Sequence, residues 1–298
     1  MSENGKGDRR DVAVNSFDVL KEYDVLMHDI LEDVQRVVSG VEVDLDELVL
    51  KISKALDTKS FEEVLPAQMG QFFEHDAVGF QNQIVAFLGF MKNDLDVTNR
   101  MNLRIDDLKD QVRILKGNWE CYRLVLEDLI LRTDASTTNR LDSGKPIENL
   151  IESLVFRAKE KCSGRHLEIA TSPDLGELKK IKLANPYGFI FNFLQNCFSN
   201  AVDTNVKASK FKLSISIDGD NCIFEFSDNG IGMSDDIQKK IWRKGFSGKN
   251  GRGLGLADVP ERASGFGSSA SVESSPNSNP GGEEWATKFV LKAPILKE

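Results

Sequence analysis

Apolar residues recur at helical spacing along the amino-terminal half of the chain, and the longest run lies between residues 98 and 133. Within it they stand alternately four and three places apart, which is the heptad spacing of helices that pack side by side. The members of this seam are Met101, Ile105, Leu108, Val112, Leu115, Trp119, Tyr122, Leu126 and Leu129. The pattern predicts one helix about 54 Å long.

A second bundle helix is predicted just upstream, over residues 66–92. Pro66 suits its first turn, where the missing N–H group has no partner to lose. The apolar residues of this helix form two interleaved rows, which is a wide face. A hairpin of these two helices cannot bury such broad apolar surfaces alone, so we expect two copies of the chain to form a four-helix bundle. Residues 61–135 would be this dimerisation hairpin.

Two shorter helical patterns precede the hairpin, at 17–40 and 44–56, after a polar start at 1–14. They are too small for an independent sensor domain. We expect residues 1–60 to be a helical segment that docks on its own chain, on a second copy or on a partner protein that delivers an input.

The carboxyl-terminal half has a different pattern, which begins after the Ser/Thr-rich stretch 133–145. That stretch lacks apolar periodicity and predicts a linker. Beyond it, helices are predicted at 146–161 and 186–204. Strands are predicted at about 166–171, 211–217, 222–226, 269–273 and 286–292. Asp218-Gly219-Asp220-Asn221 joins two alternating strands as a hairpin turn. Residues 136–298 are thus predicted to form an α+β domain.

Composition narrows the functions and the location. The net charge of −9 argues against nucleic acid as a partner, because phosphate binding needs clustered Lys and Arg. No apolar run approaches the roughly 18 residues of a membrane span, and the amino terminus lacks the apolar core of a signal peptide. The four cysteines have neither CxxC nor metal-ligand spacing, which indicates free thiols. We therefore expect a cytoplasmic protein.

Three motifs follow one another between residues 193 and 256. They are FLQNCFSNAVDT at 193–204, SDNGIGM at 227–233 and GFSGKNGRGLGL at 245–256. In order, they give a helix with paired asparagines, an Asp-x-Gly-x-Gly turn after a strand, and a Gly-rich loop before a helix. This combination resembles the ATP-binding domain of the GHKL superfamily and, within it, the two-component sensor histidine kinases. The resemblance implies a Bergerat-type α/β sandwich.

The resemblance also implies roles for single residues. Asn200 would coordinate Mg²⁺ through its amide oxygen, and Asp228 would accept a hydrogen bond from the adenine amine. The Gly-rich loop would offer N–H groups to the phosphates of ATP. Trp242 would either anchor the lid of the site or pack in the core, and Thr287 matches the family's last strand motif loosely. The implied nucleotide-binding residues are Asn196, Asn200, Asp228, Gly230, Gly232, Ser247, Lys249, Gly251, Gly253, Leu254 and Gly255.

Three positions depart from relatives in ways that bear on the chemistry. ATPases of this superfamily have a glutamate four residues before the magnesium asparagine to activate water. Position 196 is asparagine here and cannot act as a general base, which favours phosphoryl transfer over hydrolysis. Asp203 stands where kinases often have a basic residue, so the γ-phosphate must find cations elsewhere. Pro260 falls early in the helix after the Gly-rich loop and is expected to shorten or kink it.

The chain has three histidines, so the phosphoacceptor can be narrowed down. His75-Asp76, on the first hairpin helix, resembles the histidine-acidic pair of the kinase phosphoacceptor box, although Phe80 stands where proline is common. Asp76 would orient the imidazole or take its proton. His28-Asp29 is the alternative, on a helix without a long hairpin partner. His166, at a strand start, is expected to be structural.

Together these observations predict a dimeric protein histidine kinase. It would use ATP and Mg²⁺ to phosphorylate His75 and pass the phosphoryl group to an aspartate in the receiver domain of a response regulator. A separate sensor protein would supply the signal, with no nucleic acid or membrane as partner. Two alternatives stay open: a phosphotransfer or scaffold protein with a degenerate kinase domain, and a Ser/Thr kinase of the anti-sigma type. The pattern names neither the signal, nor the regulator, nor the subunit that receives the phosphate.

Overall fold

The structure, a computed structural model, describes residues 146–246 and 255–297, together with parts of 21–51 and 113–128. The chain divides into two compact units, Met1–Thr137 and Thr138–Glu298. They are called the amino-terminal and carboxyl-terminal units below. The first helix of the predicted hairpin, with His75 and Asp76, lies outside the described residues, as does the predicted boundary between 1–60 and 61–135. The bundle, its dimerisation and the three predicted domain boundaries stay predictions.

The carboxyl-terminal unit is built on one five-stranded sheet. Its strands are β1 (His166–Ser172), β2 (Lys210–Asp218), β3 (Asn221–Asp228), β4 (Ser269–Ser274) and β5 (Thr287–Pro294). They lie in the order β1-β2-β3-β5-β4, and β1 is parallel to β2 while the other neighbours are antiparallel. The sheet is therefore mixed, with β3 at its centre.

Residues along β2 and β3 alternate between buried and half-exposed positions, which is the pattern of a sheet covered on one face. The other face carries cross-strand ion pairs, such as Lys212 Nζ to Glu168 Oε1 at 2.7 Å and Lys288 Nζ to Glu273 Oε2 at 2.6 Å. These pairs are exposed and contribute little stability. The apolar face, with Phe211, is the one that needs a helical layer.

Five helices accompany the sheet: α1 (Glu148–Lys161), α2 (Leu175–Leu178), α3 (Tyr187–Ala201), α4 (Asp235–Lys240) and α5 (Val259–Gly265). The most apolar is α3, which packs against α1 and β3. Its Phe198 ring lies 4.8 Å from that of Phe226 on β3, and its Phe193 ring lies 6.2 Å from that of Phe289 on β5. Helix α5 joins the same layer, because Arg262 stacks over Phe189 at 4.8 Å. The core thus lies between α3 and the sheet.

The predicted α+β fold is confirmed for this unit, and each predicted strand is present within a few residues. The short helices α2 and α4 were missed, because four and six residues are too few to show periodicity. Pro260 lies in the first turn of α5, where its missing N–H group is tolerated. The helix after the Gly-rich loop is short, with seven residues, and begins only at Val259.

In the amino-terminal unit, residues 24–36 are helical, and most described residues of 113–128 are helical too. The two stretches are in contact, since the Trp119 indole donates to Asp24 Oδ1 at 3.0 Å. Trp119 and Met27 are fully buried. The first helix therefore docks on its own chain, which is one of the three arrangements that the sequence left open. In that contact it covers Trp119, a member of the predicted heptad seam.

The α3 contact predicts a large stability effect of one ring. Phe198→Ala should lower the free energy of unfolding by about 3–5 kcal/mol, because it leaves a cavity beneath β3. Ile217→Thr is a matched control on the sheet, since this side chain is 38% exposed. It should cost less than about 1 kcal/mol. Urea denaturation followed by circular dichroism measures both, and equal losses would contradict the packing described.

Candidate nucleotide-binding site

The last two turns of α3 place two asparagines on one side of the helix, because they are four residues apart. Asn200 is exposed at the last turn, and its side chain forms no hydrogen bond to another described residue. Its amide oxygen is free to meet a cation. The other asparagine, Asn196, is half-buried one turn earlier.

The amide group of Asn196 is already engaged within the protein. Its Nδ2 donates to the Asn192 carbonyl at 2.7 Å, to Asn192 Oδ1 at 3.1 Å and to the Gly255 carbonyl at 3.2 Å. Gly255 is packed so closely that a Cβ there would lie 2.4 Å from Asn196 Oδ1. Asn196 therefore holds the end of the Gly-rich loop against α3, and a larger residue at 255 would have to displace its amide group.

Asp228 ends strand β3 and is 3% exposed. Burial raises the pKa of its carboxyl group to about 6, against the lowering effect of the Gly230 N–H, which donates to Oδ1 at 2.9 Å. Folding thus disfavours the charged form, and the domain loses stability as pH rises from the ordinary value of 3.8 to about 6. A ligand that donates a hydrogen bond to this carboxylate would compensate that loss.

Helix α3 passes close to Asp228. The thiol of Cys197 is fully buried on α3, and burial, reinforced by the charge of Asp228, raises its pKa well above the ordinary value. The thiol is therefore inert at neutral pH. Across the sheet, Asp228 pairs in register with Thr287, which is also buried. The carboxylate is thus set between α3 and β5.

Two glycines after Asp228 are required by close contacts. A Cβ at Gly230 would lie 2.3 Å from Val206 Cγ1 and 2.8 Å from Asp228 Oδ1. Gly232 has a φ of +66°, and a Cβ there would lie 1.8 Å from the Ser275 carbonyl oxygen. Any larger residue would displace the turn and, at position 230, the carboxylate as well.

Asn229 fixes the same turn from below and is fully buried. Its Oδ1 accepts from the main-chain N–H groups of Ser209 and Lys210, each at 2.9 Å. Its Nδ2 donates to the Gly282 carbonyl at 2.6 Å. The side chain therefore joins three segments of chain that are distant in sequence.

The Gly-rich loop itself falls mostly outside the described residues, which resume at Gly255. Ser247, Lys249, Gly251, Gly253 and Leu254 lie in the gap. The flanks of this gap are tied together, because the Asp258 N–H donates to the Trp242 carbonyl at 3.0 Å and Lys244 Nζ pairs with Asp258 Oδ2 at 2.9 Å. The Trp242 ring packs edge-on against Phe289 at 6.3 Å, so it anchors the first flank to the sheet.

Asp203 has a structural partner in the turn that follows α3. Its Oδ1 accepts from the Asn205 N–H at 2.7 Å, and its carbonyl accepts from the Val206 N–H at 3.0 Å. Because Asp side chains form such turns readily, the residue suits this position for local reasons. The carboxylate is therefore used to form a turn at the position where relatives often have a cation.

His28 belongs to the amino-terminal unit and lies between carboxylates. Its Nδ1 is 3.0 Å from the Asp24 carbonyl and 3.5 Å from Asp24 Oδ1, while Nε2 is 3.5 Å from Glu120 Oε1. Both ring nitrogens thus face oxygen atoms, one of them on the neighbouring helix. His166 begins β1, where the sequence placed it.

The sequence of this unit also matches known proteins. Residues 188–296 match the family described as histidine kinase-, DNA gyrase B- and HSP90-like ATPase. This match agrees with the resemblance drawn from the three motifs, and the matched range contains all the predicted nucleotide-binding residues. It begins within α3 and ends after β5.

One relative is the sensor protein CitS of Halalkalibacterium halodurans, which is 34% identical over 107 residues. The alignment covers 35% of this chain and 19% of CitS, so the chain matches only a small part of that protein. Among solved structures, the mycobacterial sensor histidine kinase MprB has a TM-score of 0.39 at 18% identity, with 51% of this chain and 97% of that chain covered.

A second solved structure is the ATP-binding domain of PrrB from Mycobacterium tuberculosis. It has a TM-score of 0.38 at 23% identity and covers 51% of this chain and 96% of that chain. A third is full-length ShkA in complex with AMPPNP, with a TM-score of 0.42 at 22% identity over 65% of this chain and 38% of that chain.

None of the helices in the described part of the chain has the length and apolar character needed to cross a membrane. In the same residues, no three His, Cys, Asp or Glu side chains are grouped so that they could hold a metal ion.

Sequence reasoning missed the contribution of the loop between β4 and β5. Asn277, in this loop, bonds to the turn after Asp228, and Thr287 faces Asp228 across the strands. Thr287 was noted in the sequence as a loose match to the family's last strand motif, and the register of β3 and β5 pairs it with Asp228. Asn277 had no comparable signal, because it lies in a polar stretch without periodicity.

The glycine contacts predict a position-specific effect. Gly230→Ala should lower the free energy of unfolding by about 1–3 kcal/mol, because the new methyl group overlaps Val206 and Asp228. Gly265→Ala is the matched control, since no atom lies within 4 Å of a Cβ at that position. It should be neutral or stabilising by up to about 1 kcal/mol. Equal behaviour of the two variants in chemical denaturation would refute the steric argument.

Proposed function

We propose that this protein is an ATP-dependent protein histidine kinase of a two-component system. The observation that carries the proposal is that residue 196, within the GHKL-like domain, is asparagine and not glutamate. Its side-chain N–H groups donate hydrogen bonds to Asn192 and Gly255. The site therefore has a buried carboxylate suited to adenine and a held phosphate loop, without a base at 196 to activate water.

In the proposed complex, adenine donates its exocyclic amine hydrogen to Asp228. Gly230 and Gly232 allow the base to approach the backbone, and the loop ending at Gly255 offers N–H groups to the phosphates. Ser247, Lys249, Gly251, Gly253 and Leu254 would complete the phosphate contacts. The raised pKa of Asp228 fits this role, because an isolated buried carboxylate gains from a ligand donor.

The amide of Asn200 is exposed and has no hydrogen bond to another described residue. It fits one position in the coordination shell of Mg²⁺, which keeps several waters and binds phosphate oxygens. Mg²⁺ bound there would neutralise charge on the β- and γ-phosphates during transfer. Asp203 supplies no cation, because its carboxylate closes the turn after α3. Lys249 or Arg252 would have to take the part of the basic residue that relatives have.

The phosphoacceptor in this proposal is His75, with Asp76 orienting the ring. The imidazole nitrogen attacks the γ-phosphorus, the bond from phosphorus to the β–γ bridging oxygen breaks, and ADP leaves. His28 is less suitable on electrostatic grounds. Asp24 and Glu120 lie 3.5 Å from its two ring nitrogens and would repel the γ-phosphate.

The remaining partners follow from this chemistry. Phosphohistidine would pass its phosphoryl group to an aspartate in the receiver domain of a response regulator. The proposed kinase is a cytoplasmic homodimer joined through the 61–135 hairpin, and a separate protein delivers the signal. The match over 107 residues to a protein named as a sensor supports this assignment.

The pKa of Asp228 predicts how nucleoside binding depends on pH. The adenine amine needs the ionised carboxylate, so affinity should be full above pH 6 and fall as pH drops through about 6. At one unit below the pKa, binding of adenosine should be about tenfold weaker. Adenosine is the suitable probe because it carries no phosphate group that titrates in this range.

Calorimetric titration of the full chain with adenosine at several pH values measures this effect. Asp228→Asn is the control, since it keeps the shape of the side chain but cannot ionise. Its affinity should be low and independent of pH. A wild-type affinity that is flat across this range would contradict the role given to Asp228.

The acceptor is tested by incubation with γ-labelled ATP and Mg²⁺. Wild type and His28→Gln should label equally, and His75→Gln should lose nearly all label because the attacking nitrogen is gone. The bound phosphate should be acid-labile, as a phosphoramidate is. Full labelling of His75→Gln would overturn the acceptor assignment, and acid-stable label on a partner serine would favour the Ser/Thr kinase alternative. A wild-type chain that binds no nucleotide would revive the degenerate scaffold.

A further inference from the structure

The turn that carries the adenine carboxylate is held from outside by the loop of residues 275–286, here called the β4–β5 loop. All four main-chain carbonyls of residues 228–231 accept hydrogen bonds from it. The donors are the Ala286 N–H to Asp228 at 2.8 Å, the Gly281 N–H to Asn229 at 2.8 Å, Asn277 Nδ2 to Gly230 at 3.0 Å and the Asn277 N–H to Ile231 at 2.9 Å. Four consecutive carbonyls, at the end of β3 and in the turn after it, are thus hydrogen-bonded by one loop.

Asn277 makes two of these four bonds and is the one residue to do so with its side chain. The orientation of its amide is fixed, because Oδ1 accepts from the Asn279 N–H at 2.9 Å. Nδ2 is thereby directed at the Gly230 carbonyl, with the Asn229 carbonyl further away at 3.4 Å. The side chain therefore reaches the residue whose N–H positions the Asp228 carboxylate.

Through Gly230, Asn277 can affect how Asp228 binds the base. The Gly230 peptide donates to Asp228 Oδ1 at 2.9 Å on one side, and the Gly230 carbonyl accepts from Asn277 on the other. Close packing of Gly232 against the Ser275 carbonyl prevents the turn from shifting outward. If the bond from Asn277 is lost, Gly230 is free to move, and the carboxylate oxygen moves with it.

Loss of the Asn277 hydrogen bond should weaken recognition of the base and leave binding of the phosphates unchanged. The phosphate loop is held by a separate contact, between Asn196 and Gly255. Adenine offers an N–H donor to Asp228, whereas hypoxanthine has an oxygen at the same position and meets the carboxylate with repulsion. A correctly positioned carboxylate discriminates between adenine and hypoxanthine, and a displaced carboxylate discriminates between them less.

We propose that Asn277 is a positioning residue that sets the selectivity of this site for adenine, by holding the Gly230 peptide that in turn orients Asp228. The inference rests on the proposed ATP site and adds a determinant of specificity from a loop outside the three motifs.

The test compares ADP with IDP, the inosine counterpart, in the presence of Mg²⁺ and the full-length chain. Calorimetry gives both dissociation constants for wild type, Asn277→Asp and Asn277→Ala. In Asn277→Asp the Asn279 contact can persist, while an oxygen replaces the donor to Gly230. ADP binding should weaken about tenfold, with IDP binding changed less than about twofold, because one hydrogen bond that serves base recognition is lost.

Ser278→Ala is the control in the same loop, since Ser278 is exposed. It should leave both constants unchanged. The ratio of the two constants is the decisive quantity, because partial unfolding would weaken ADP and IDP equally. Equal weakening in Asn277→Asp, or an unchanged ratio in both Asn277 variants, overturns the inference.

These outcomes separate the inference from the proposed function. Wild type that prefers ADP, with an unchanged ratio in the variants, overturns the role of Asn277 alone. Loss of selectivity in the variants without any labelling of His75 supports Asn277 and overturns the kinase assignment alone. Wild type without preference for ADP overturns both.

Discussion

The buried carboxylate of Asp228 is the constraint on which the rest of the site depends. A charge in an apolar setting is costly unless donors surround it, and here the described residues supply one such donor, the Gly230 N–H. Burial raises the pKa of this carboxyl group to about 6, against the lowering effect of that N–H. The domain therefore holds, at the end of its central strand, a carboxylate whose charged form is disfavoured by its surroundings. The turn beside it is too closely packed for a Cβ at Gly230 or Gly232. The buried amide of Asn229 holds this turn in place.

Helix α3 serves this site because its two sides have different tasks. One side carries aromatic rings such as Phe198 into the sheet and fixes the helix in place. The other carries Asn196 and Asn200, so the asparagines inherit a rigid position from the core. The inward asparagine is used to hold the Gly-rich loop, and the outward one stays available. Packing thus decides which of two chemically identical side chains can meet a cation.

Much of the carboxyl-terminal unit could be predicted from the sequence, because its strands alternate and its hairpin turn is explicit. The roles of Asp228 and Asn200 came from resemblance, since an Asp-Asn-Gly turn alone is an ordinary turn. The β4–β5 loop was expected between two predicted strands, but its contacts could not be predicted. Asn277 meets Gly230 across 47 residues of chain through a single polar contact, which has neither periodicity nor motif. Such contacts depend on strand register, and a helix of four residues such as α2 is hidden for lack of length.

The acidic residue at position 203, where kinases often have a basic residue, also has a local structural reason. Asp203 occupies the turn after α3, where its carboxylate accepts the Asn205 N–H and gives the chain its path back to β2. A basic residue at 203 could not make that turn bond, so the turn and the phosphate would compete for one position. With Asp203 at this position, the turn bond is made and no cation is present there. In the function proposed above, the charge for the γ-phosphate would then come from Lys249 or Arg252, which lie in sequence between Trp242 and Asp258, two residues joined by a main-chain hydrogen bond.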